Sequence, residues 1–373
     1  MNTTTIPIDE QSDEEDDVLN EKLTEDEKVQ AMEKASKIMS KYKNNLHNNA
    51  HPHSQDSWLV HTIKKLLKSP NKSIKPHKYR FENTRDAAKF NTKLLKRHKY
   101  DLEVALEKED GTMLEPGSEF RAVEQIESLF QKHELWPKMQ SIVDKGITYQ
   151  LDSITEKERR ADLKHMIARG NHKSASSPEN ITSLLKNYEK EVSYGWMLPV
   201  TLESTKKIKG AGVIPVGVAQ QLTINDKGKR KTKYRTTHDA SFAPPSNKSI
   251  NDRMMRELLT ECFYGHCLIR ILHAIHIMRI HHPSTCIFIT KLDIDAAYRR
   301  LHVLARMAVM AITIINKIAY ILLRLPFGVA NGPNDFSLIS EPIIDLTNDI
   351  LRDTTWDPSS TKAPVHTHFK PPH

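Results

Sequence analysis

The sequence predicts an α+β fold, because the spacing of its apolar residues changes once along the chain. From Trp58 to Tyr194 apolar residues recur at helical spacing, with breaks at Pro116-Gly117 and Trp136-Pro137. Beyond Gly195 short apolar runs of strand length alternate with turn sequences and with two further helical segments. The chain therefore divides into four predicted regions, which are residues 1–57, 58–194, 195–357 and 358–373.

The two ends of the chain are predicted to contain little folded structure. Residues 1–20 form an acidic tail, a short helix follows a capping box at Thr24 and Glu27, and residues 44–57 are a linker rich in Asn and His. Residues 358–373 form a second disordered tail, rich in His and Pro. With 38% hydrophobic and 27% charged residues, the chain is lean in core-forming side chains, which favours a protein that is folded only in part.

Charge and cysteine content restrict the partners and the compartment. A net charge of +8 and a pI near 9.1 favour an anionic partner such as nucleic acid. The three cysteines include no Cys-x-x-Cys pair, which favours a reducing, intracellular compartment. The acidic N-terminus is unlike a signal peptide, and the most apolar stretch, residues 307–323, is interrupted by Asn316-Lys317. We therefore expect no membrane segment.

A β-hairpin with a basic face is predicted in residues 213–237. Its first strand ends at Ile224, Asn225 to Gly228 have the composition of a tight turn, and the second strand returns from Lys229. Alternation along the second strand places four cations on one face, namely Lys229, Lys231, Lys233 and Arg235. These cations repel one another unless they meet a polyanion. The alternative is a solvated edge strand that lysines protect from aggregation.

An apolar helix is predicted from Leu268 to Ile280, closed by His281-His282-Pro283. Cysteines and histidines in and before it invite a zinc interpretation, namely Cys262, His266, Cys267, His273 and His276. Because Cys-x4-Cys is an unusual ligand spacing and two of the histidines lie within an apolar helix, we favour ordinary core or surface histidines.

The segment after this helix has the pattern of an acidic active-site strand. An apolar run, residues 286–292, ends at Asp293, and Tyr298 follows five residues later. Nucleotidyl transfer by two metal ions needs carboxylates that bridge magnesium ions, and a carboxylate at a strand end suits that task. From spacing alone, a strand-end aspartate is more often a turn residue or a helix cap, so both interpretations stay open at this point.

Three further elements follow in order. Residues 308–315 and 318–323 form a predicted hairpin, Pro326-Phe327-Gly328 forms a tight bend, and a helix opens at Pro333. The helix carries an apolar stripe of Phe336, Ile339, Ile343, Leu346 and Ile350. We expect residues 287–292 to pair with the hairpin, the helix to cover one face of that sheet, and Arg235 to face Asp293.

This part of the chain resembles the reverse transcriptase domain of retrotransposon polyproteins, over roughly residues 195–355. Lys291-Leu292-Asp293 with Ala297-Tyr298 resembles the first palm motif of that family. Leu325 to Gly328, followed by Pro333 and Phe336, resembles the motif that positions template and nucleotide.

The fingers of the family find a counterpart upstream. Tyr234-Arg235, residues 238–242 and residues 249–251 are similar to the fingers segment. Residues 116–121 and 169–175 resemble the leader regions of one retrotransposon lineage. Three motifs of the domain thus stand in the family's order.

The resemblance implies a partial right-hand polymerase, with fingers and an incomplete palm, of the kind that synthesises DNA on an RNA template. It implies Asp293 as catalytic residue and as ligand of Mg²⁺ or Mn²⁺. It also implies an RNA or DNA template-primer, a dNTP and the remainder of a polyprotein as partners. The implied nucleotide-binding residues are Lys233, Arg235, Tyr298, Phe327 and Gly328, and the implied nucleic-acid-binding residues are Lys229, Lys231 and Pro333.

Two departures from the family pattern limit the expected activity. Ser337 stands where the family often has a glutamine that contacts the template, and no Tyr-x-Asp-Asp motif occurs in the 373 residues. Other aspartates are poor substitutes for that motif, namely Asp295, Asp335 and Asp345. We therefore expect the chain to be inactive alone. The alternatives are a nucleic-acid-binding module that grips phosphate through residues 229–235 and Arg299-Arg300, and a relic without function.

Overall fold

The computed structural model describes residues 58–68, 78–109, 120–224, 228–258, 267–287, 294–353 and 355. The predicted terminal tails, the centre of the turn at residues 225–227, and Asp293 lie outside this part of the chain. The described elements mix helix and strand, which confirms the predicted α+β class.

Helices and strands are numbered in chain order over the described residues. The helices are α1 (Trp58–Lys68), α2 (Arg85–Arg97), α3 (Leu102–Glu109), α4 (Val123–Phe130), α5 (Trp136–Lys145), α6 (Glu156–Arg169), α7 (Pro178–Ser193), α8 (Leu202–Thr205), α9 (Cys267–His281), α10 (Ala305–Ala308) and α11 (Gly332–Arg352). The strands are β1 (Met197–Thr201), β2 (Val216–Ile224), β3 (Arg230–His238), β4 (Thr313–Ile315) and β5 (Ile318–Leu322).

Helices α6 and α7 each begin at a capping residue. The Thr155 hydroxyl accepts from the Glu158 amide at 3.2 Å, and the Glu158 carboxylate accepts from the Thr155 amide at 2.8 Å. Ser177 caps α7 and Pro178 is its first residue. The loop between these helices therefore enters α7 at a defined point.

Strands β1, β5 and β4 form an antiparallel sheet in that order. Asn316 and Lys317 join β4 to β5 with positive φ at both positions, the two-residue turn that matches strand twist. The turn was predicted, but the assignment of residues 308–311 to a strand is wrong; Ile312 is extended and forms a β-bridge with Val213. The structure is helical from residue 305 to 311, because Ala and Met dominate that run and favour helix.

Strand β1 was not predicted, because Pro199 interrupts its sequence pattern. Pro199 is tolerated there because β1 forms the outer edge of the described sheet, where a missing N–H breaks no ladder. The predicted pairing of residues 287–292 with this sheet lies almost wholly outside the described residues. In the part that is described, the strands that pair with β5 are β4 and β1.

One hydrophobic cluster joins the predicted helical region to the predicted fingers and palm. Tyr188 of α7 meets Tyr320 of β5 edge to face, with ring centroids 4.8 Å apart. The Tyr188 hydroxyl donates to the Thr313 hydroxyl at 2.9 Å, so the buried phenol is satisfied. Helix α2 packs on β1, and α11 packs on α4 and α5 with Ile339 buried. Residues on both sides of position 195 thus share a core.

The predicted apolar helix is confirmed as α9, but its apolar side chains are not buried in the described part of the chain. Exposed members are Ile271, Leu272, Ile277, Met278 and Ile280. His273 and His276 are exposed as well. Among the described helices, none is long and apolar enough to cross a bilayer.

Candidate nucleic-acid interface

The β2–β3 hairpin stands apart from the three-stranded sheet and presents one face to solvent. Its register runs from Val216 opposite His238 to Ile224 opposite Arg230. The inner face includes Tyr234 and Thr236 and packs on α7. There the side-chain amide of Asn187 donates to the Thr236 hydroxyl at 3.2 Å.

The opposite face of the hairpin is basic. Lys231, Lys233 and Arg235 are exposed on it, and their cross-strand neighbours are the uncharged Thr223, Gln221 and Ala219. We call these six residues the outer face. The Arg235 guanidinium donates to the Gln221 side chain at 2.7 Å, which holds its side chain along the sheet. Lys229, just before β3, is exposed too.

One edge of the hairpin is fastened to the loop between α6 and α7. The Asn171 side chain accepts from the Val216 amide at 3.0 Å, and the His172 amide donates to the Val216 carbonyl at 3.0 Å. The Ser174 hydroxyl accepts from the Val218 amide at 3.2 Å. These bonds orient the hairpin relative to the helical region.

The other edge touches the glycine bend. Because both main-chain groups of Val216 bond to the loop between α6 and α7, those of the opposed His238 point away from β2. Gly328 lies there with φ +99, and a Cβ at its position would stand 1.9 Å from the His238 carbonyl oxygen. Only glycine fits this contact. The bend predicted at Pro326-Phe327-Gly328 is therefore a place where another part of the backbone approaches closely.

Asn251 locks the bend in place. Its side-chain amide donates to the Gly328 carbonyl at 2.8 Å and to the Ser241 hydroxyl at 2.8 Å. Its side-chain oxygen accepts from the Ala330 amide at 2.8 Å. Two stretches that the resemblance assigns to fingers, residues 238–242 and 249–251, therefore meet the palm-like bend in space.

An aromatic cluster adjoins this bend. The rings of Tyr298 and Phe327 stack with centroids 4.8 Å apart, and Phe336 of α11 lies 5.5 Å from Tyr298. Phe327 is 48% exposed. Gly332 backs the cluster, because a Cβ there would lie 3.3 Å from the Tyr298 ring. Pro333, next along α11, is half-buried.

A buried ion pair lies beneath the hairpin base. Arg299 is 3% exposed and its guanidinium lies 2.8 Å from the Glu191 carboxylate of α7. Burial raises the pKa of Glu191, and Arg299 opposes that rise. Burial, reinforced by Arg299, holds the pKa of His238 well below its usual value. The hypothesis that Arg299 grips phosphate is wrong, because its charge is buried and already paired.

Arg300, the next residue, has different partners from those of Arg299. Its Nε donates to the Asp295 carbonyl at 3.0 Å, and its guanidinium lies 3.5 Å from the exposed Asp295 carboxylate. Adjacent residues of similar chemistry thus have different surroundings. Sequence reasoning missed the partner of Arg299, although Glu191 on the buried stripe of α7, after Leu184 and Tyr188, signals a buried counter-ion.

Asp335 lies in the first turn of α11 and accepts a hydrogen bond from Asn331. Burial raises the pKa of Asp335 to about 7, while the Asn331 bond acts in the opposite direction. Asp345 pairs with His133 at 3.1 Å on the surface. Neither aspartate belongs to a metal-binding group, and the described residues contain no cluster of three His, Cys, Asp or Glu side chains that could hold a metal.

The structure therefore brings most of the predicted site residues to two places. Lys231, Lys233 and Arg235 share the outer face, whereas Tyr298, Phe327 and Gly328 meet at the hairpin base. The predicted role of Asp293 as catalytic residue and metal ligand stays a prediction, because Asp293 lies outside the described residues.

No protein-family model, curated protein or solved structure matches this chain.

Proposed function

We propose that the outer face binds the phosphate backbone of RNA or DNA, as the fingers of a reverse transcriptase-like domain. The observation that carries this proposal is the row of three exposed cations without an acidic cross-strand neighbour. Alternate residues of a strand lie about 7 Å apart, so the row spans about 14 Å. The cations of such a row repel one another. The phosphates of a polyanion relieve that repulsion, and the release of its condensed counter-ions favours binding.

The aromatic cluster supplies a second kind of contact. Phe327 adjoins Gly328, which touches His238, and His238 follows Arg235 by three residues along β3, or about 10 Å. An exposed ring within reach of phosphate-binding cations suits stacking on a nucleobase or a sugar. The nucleotide-binding roles of Tyr298, Phe327 and Gly328 are part of the proposal and rest on this proximity and on the resemblance.

The second part of the proposal is that this chain does not catalyse DNA synthesis by itself. By its resemblance the chain belongs to the machinery of RNA-directed DNA synthesis, with Asp293 as the metal ligand, but the 373 residues hold no Tyr-x-Asp-Asp. Two-metal chemistry with a single aspartate leaves the second cation without charge compensation. We therefore propose that this chain binds nucleic acid and does not extend a primer by itself.

Salt dependence of binding tests the first part. Fluorescence anisotropy with a labelled single-stranded oligonucleotide should show affinity falling steeply with salt. Replacing Lys229, Lys231, Lys233 and Arg235 together with Ala should reduce the slope of log affinity against log salt by about three to four. The matched control replaces four exposed lysines of other elements with Ala, namely Lys93, Lys96, Lys157 and Lys206.

The control variant loses the same number of charges, but the slope of log affinity against log salt should stay close to that of the wild type. Equal losses in the two variants, or wild-type binding that does not depend on salt, would reject the outer face as the interface.

A primer-extension assay tests the second part. Template-dependent incorporation that disappears in Asp293→Asn would show that the chain is an active polymerase and overturn our proposal of binding alone.

A further inference from the structure

A cavity of about 520 Å³ lies between α6 and the chain on either side of the β2–β3 hairpin. It is enclosed by α6, by residues 148–154 and 210–214, and by parts of the segments 240–253 and 306–310. None of its lining residues belongs to the outer face or to the aromatic cluster. Its volume is in the range of small-molecule sites, and it lies apart from the proposed nucleic-acid interface.

The floor of the cavity is apolar. Its side chains come from α6, from the chain before β2, from the segment after β3 and from the α10 region; they include Leu163, Met166, Ile214, Phe242, Met307 and Met310. Methionine side chains adapt to irregular partners and make favourable contacts with aromatic rings. This floor therefore suits an aromatic or aliphatic body.

The charge of the lining is strongly one-sided. Four cations line the cavity, namely Arg159, Lys248, Arg253 and Arg306, against one carboxylate, Asp162. Asp162 is already engaged, because it accepts from the Ser246 amide at 2.9 Å and from the Ser246 hydroxyl at 2.7 Å. Glu156 pairs with Arg159 and Glu158 with Lys248, which leaves Arg253 and Arg306 as the lining cations without an ion pair among the described residues.

Two of the arginines retain donors for a ligand. Arg159 is occupied by Glu156 and by the Ala211 carbonyl. Arg253, in contrast, donates from Nε to the Asp152 carbonyl at 2.8 Å, and its two terminal nitrogens have no hydrogen bond to another described residue. Arg306 is exposed and makes one bond, to the Thr148 hydroxyl at 3.2 Å. Burial lowers the pKa of Arg253, and the carboxylates of Asp152 and Asp162 oppose that fall.

We propose that this cavity binds a small organic anion with an aromatic or aliphatic body. Arg253 and Arg306 hold the anionic group, and the methionine-rich floor takes the apolar body. Arginine suits this task because its planar fork donates two parallel hydrogen bonds to a carboxylate, phosphate or sulfonate. Asp162 orders the wall through its bonds to Ser246.

A matched pair of probes tests the proposal. Anilinonaphthalene sulfonate carries an aromatic body and an anion, and N-phenylnaphthylamine carries the same body without the charge. Titrations followed by the methyl signals of ¹³C-methionine-labelled protein should show the sulfonate saturating the signals of Met166, Met307 and Met310. Met278 on the exposed face of α9 serves as the reference for adventitious apolar binding.

Variants separate anion recognition from apolar adsorption. Arg306→Gln and Arg253→Gln should each weaken sulfonate binding about tenfold to hundredfold, whereas binding of the neutral probe should stay the same. Arg306 is exposed, so its variant retains the fold even if the half-buried Arg253 does not tolerate change. The outer-face variant should bind the sulfonate as the wild type does. Equal affinity for both probes, unchanged binding in Arg306→Gln, or signals that shift only at Met278 would overturn the proposal.

Discussion

The outer face of the β2–β3 hairpin and the base of the same hairpin both contain cations, in opposite surroundings. On the outer face Lys231 and Lys233 are exposed and lie opposite uncharged residues. Beneath the base Arg299 is buried and paired with Glu191, and the Gly328 bend is packed against the His238 carbonyl. A buried cation therefore depends on its counter-ion, whereas a hydrated cation without one is available to a partner.

The largest expected effect is at the buried pair. Arg299→Met should lower the free energy of unfolding by about 3–5 kcal/mol, because it leaves the Glu191 carboxylate buried without its counter-ion. The double variant Arg299→Met with Glu191→Met should recover most of that loss, since two well-packed apolar groups replace the pair. Urea unfolding followed by circular dichroism measures both. A single variant as stable as the wild type would show that the base does not depend on this pair.

The second effect is at the bend. Gly328→Ala should cost about 2–5 kcal/mol, because the new methyl group meets the His238 carbonyl oxygen in a left-handed backbone. Gly228, at the far end of the hairpin, is the matched control. It also has a positive φ, of +70, but nothing lies within 4 Å of a Cβ there. Gly228→Ala should therefore cost only about 1–2 kcal/mol. Equal losses would mean that the contact with His238 adds nothing.

A third prediction concerns the pH dependence of the base. The pKa of Asp335 lies at about 7 instead of the usual 3.8, so between these values the folded protein binds more protons at this site than the unfolded chain. The contribution of Asp335 to stability is full below pH 3.8 and is lost as the pH rises to about 7. The ceiling of this loss is about 4 kcal/mol, and about half of it is expected because the side chain is only partly buried.

Asp335→Asn removes the titrating group and retains an acceptor for Asn331. The free energy of unfolding of the variant should therefore fall less than that of the wild type between about pH 4 and pH 7. Denaturant titrations at both pH values give the difference. Parallel pH profiles for the two proteins would contradict a raised pKa at this position.

The smallest expected effect is on the outer face. Lys231→Ala, Lys233→Ala and Arg235→Ala should each change the free energy of unfolding by no more than about 0.5 kcal/mol, because these side chains are exposed. Thermal unfolding of the three variants tests this directly. A loss comparable to that of Gly328→Ala would erase the distinction between the two ends of the hairpin.

The outer face could be predicted from the sequence because side-chain direction in a strand has a period of two. Residues 229–235 need only their own alternation and a turn at residues 225–228 to place their cations together. The bend at Gly328 was accessible for a similar reason, since a glycine in a tight turn indicates close backbone approach. The identity of the approaching group, the His238 carbonyl, was not accessible, because 90 residues separate the two positions.

Arg299 and Arg300 show where such reasoning ends. As neighbours in the sequence they look alike, yet the structure buries Arg299 beside Glu191 and leaves Arg300 beside Asp295. The prediction from sequence was also wrong at the strand that contains Pro199 and at the helical residues 305–311, for related reasons. Sheet-edge position overrides the proline signal, and helix propensity overrides the apolar strand pattern.

By itself the sequence determined the mixed helix-and-strand class, the hairpin with its basic face, the two-residue turn at Asn316-Lys317 and the glycine bend. Each of these depends on the conformational preferences of a few consecutive residues. Only the tertiary structure decided which cation is buried, which loop holds the hairpin edge and where a cavity remains between helical region and fingers-like segment. These depend on contacts between distant parts of the chain, whose partners no local pattern specifies.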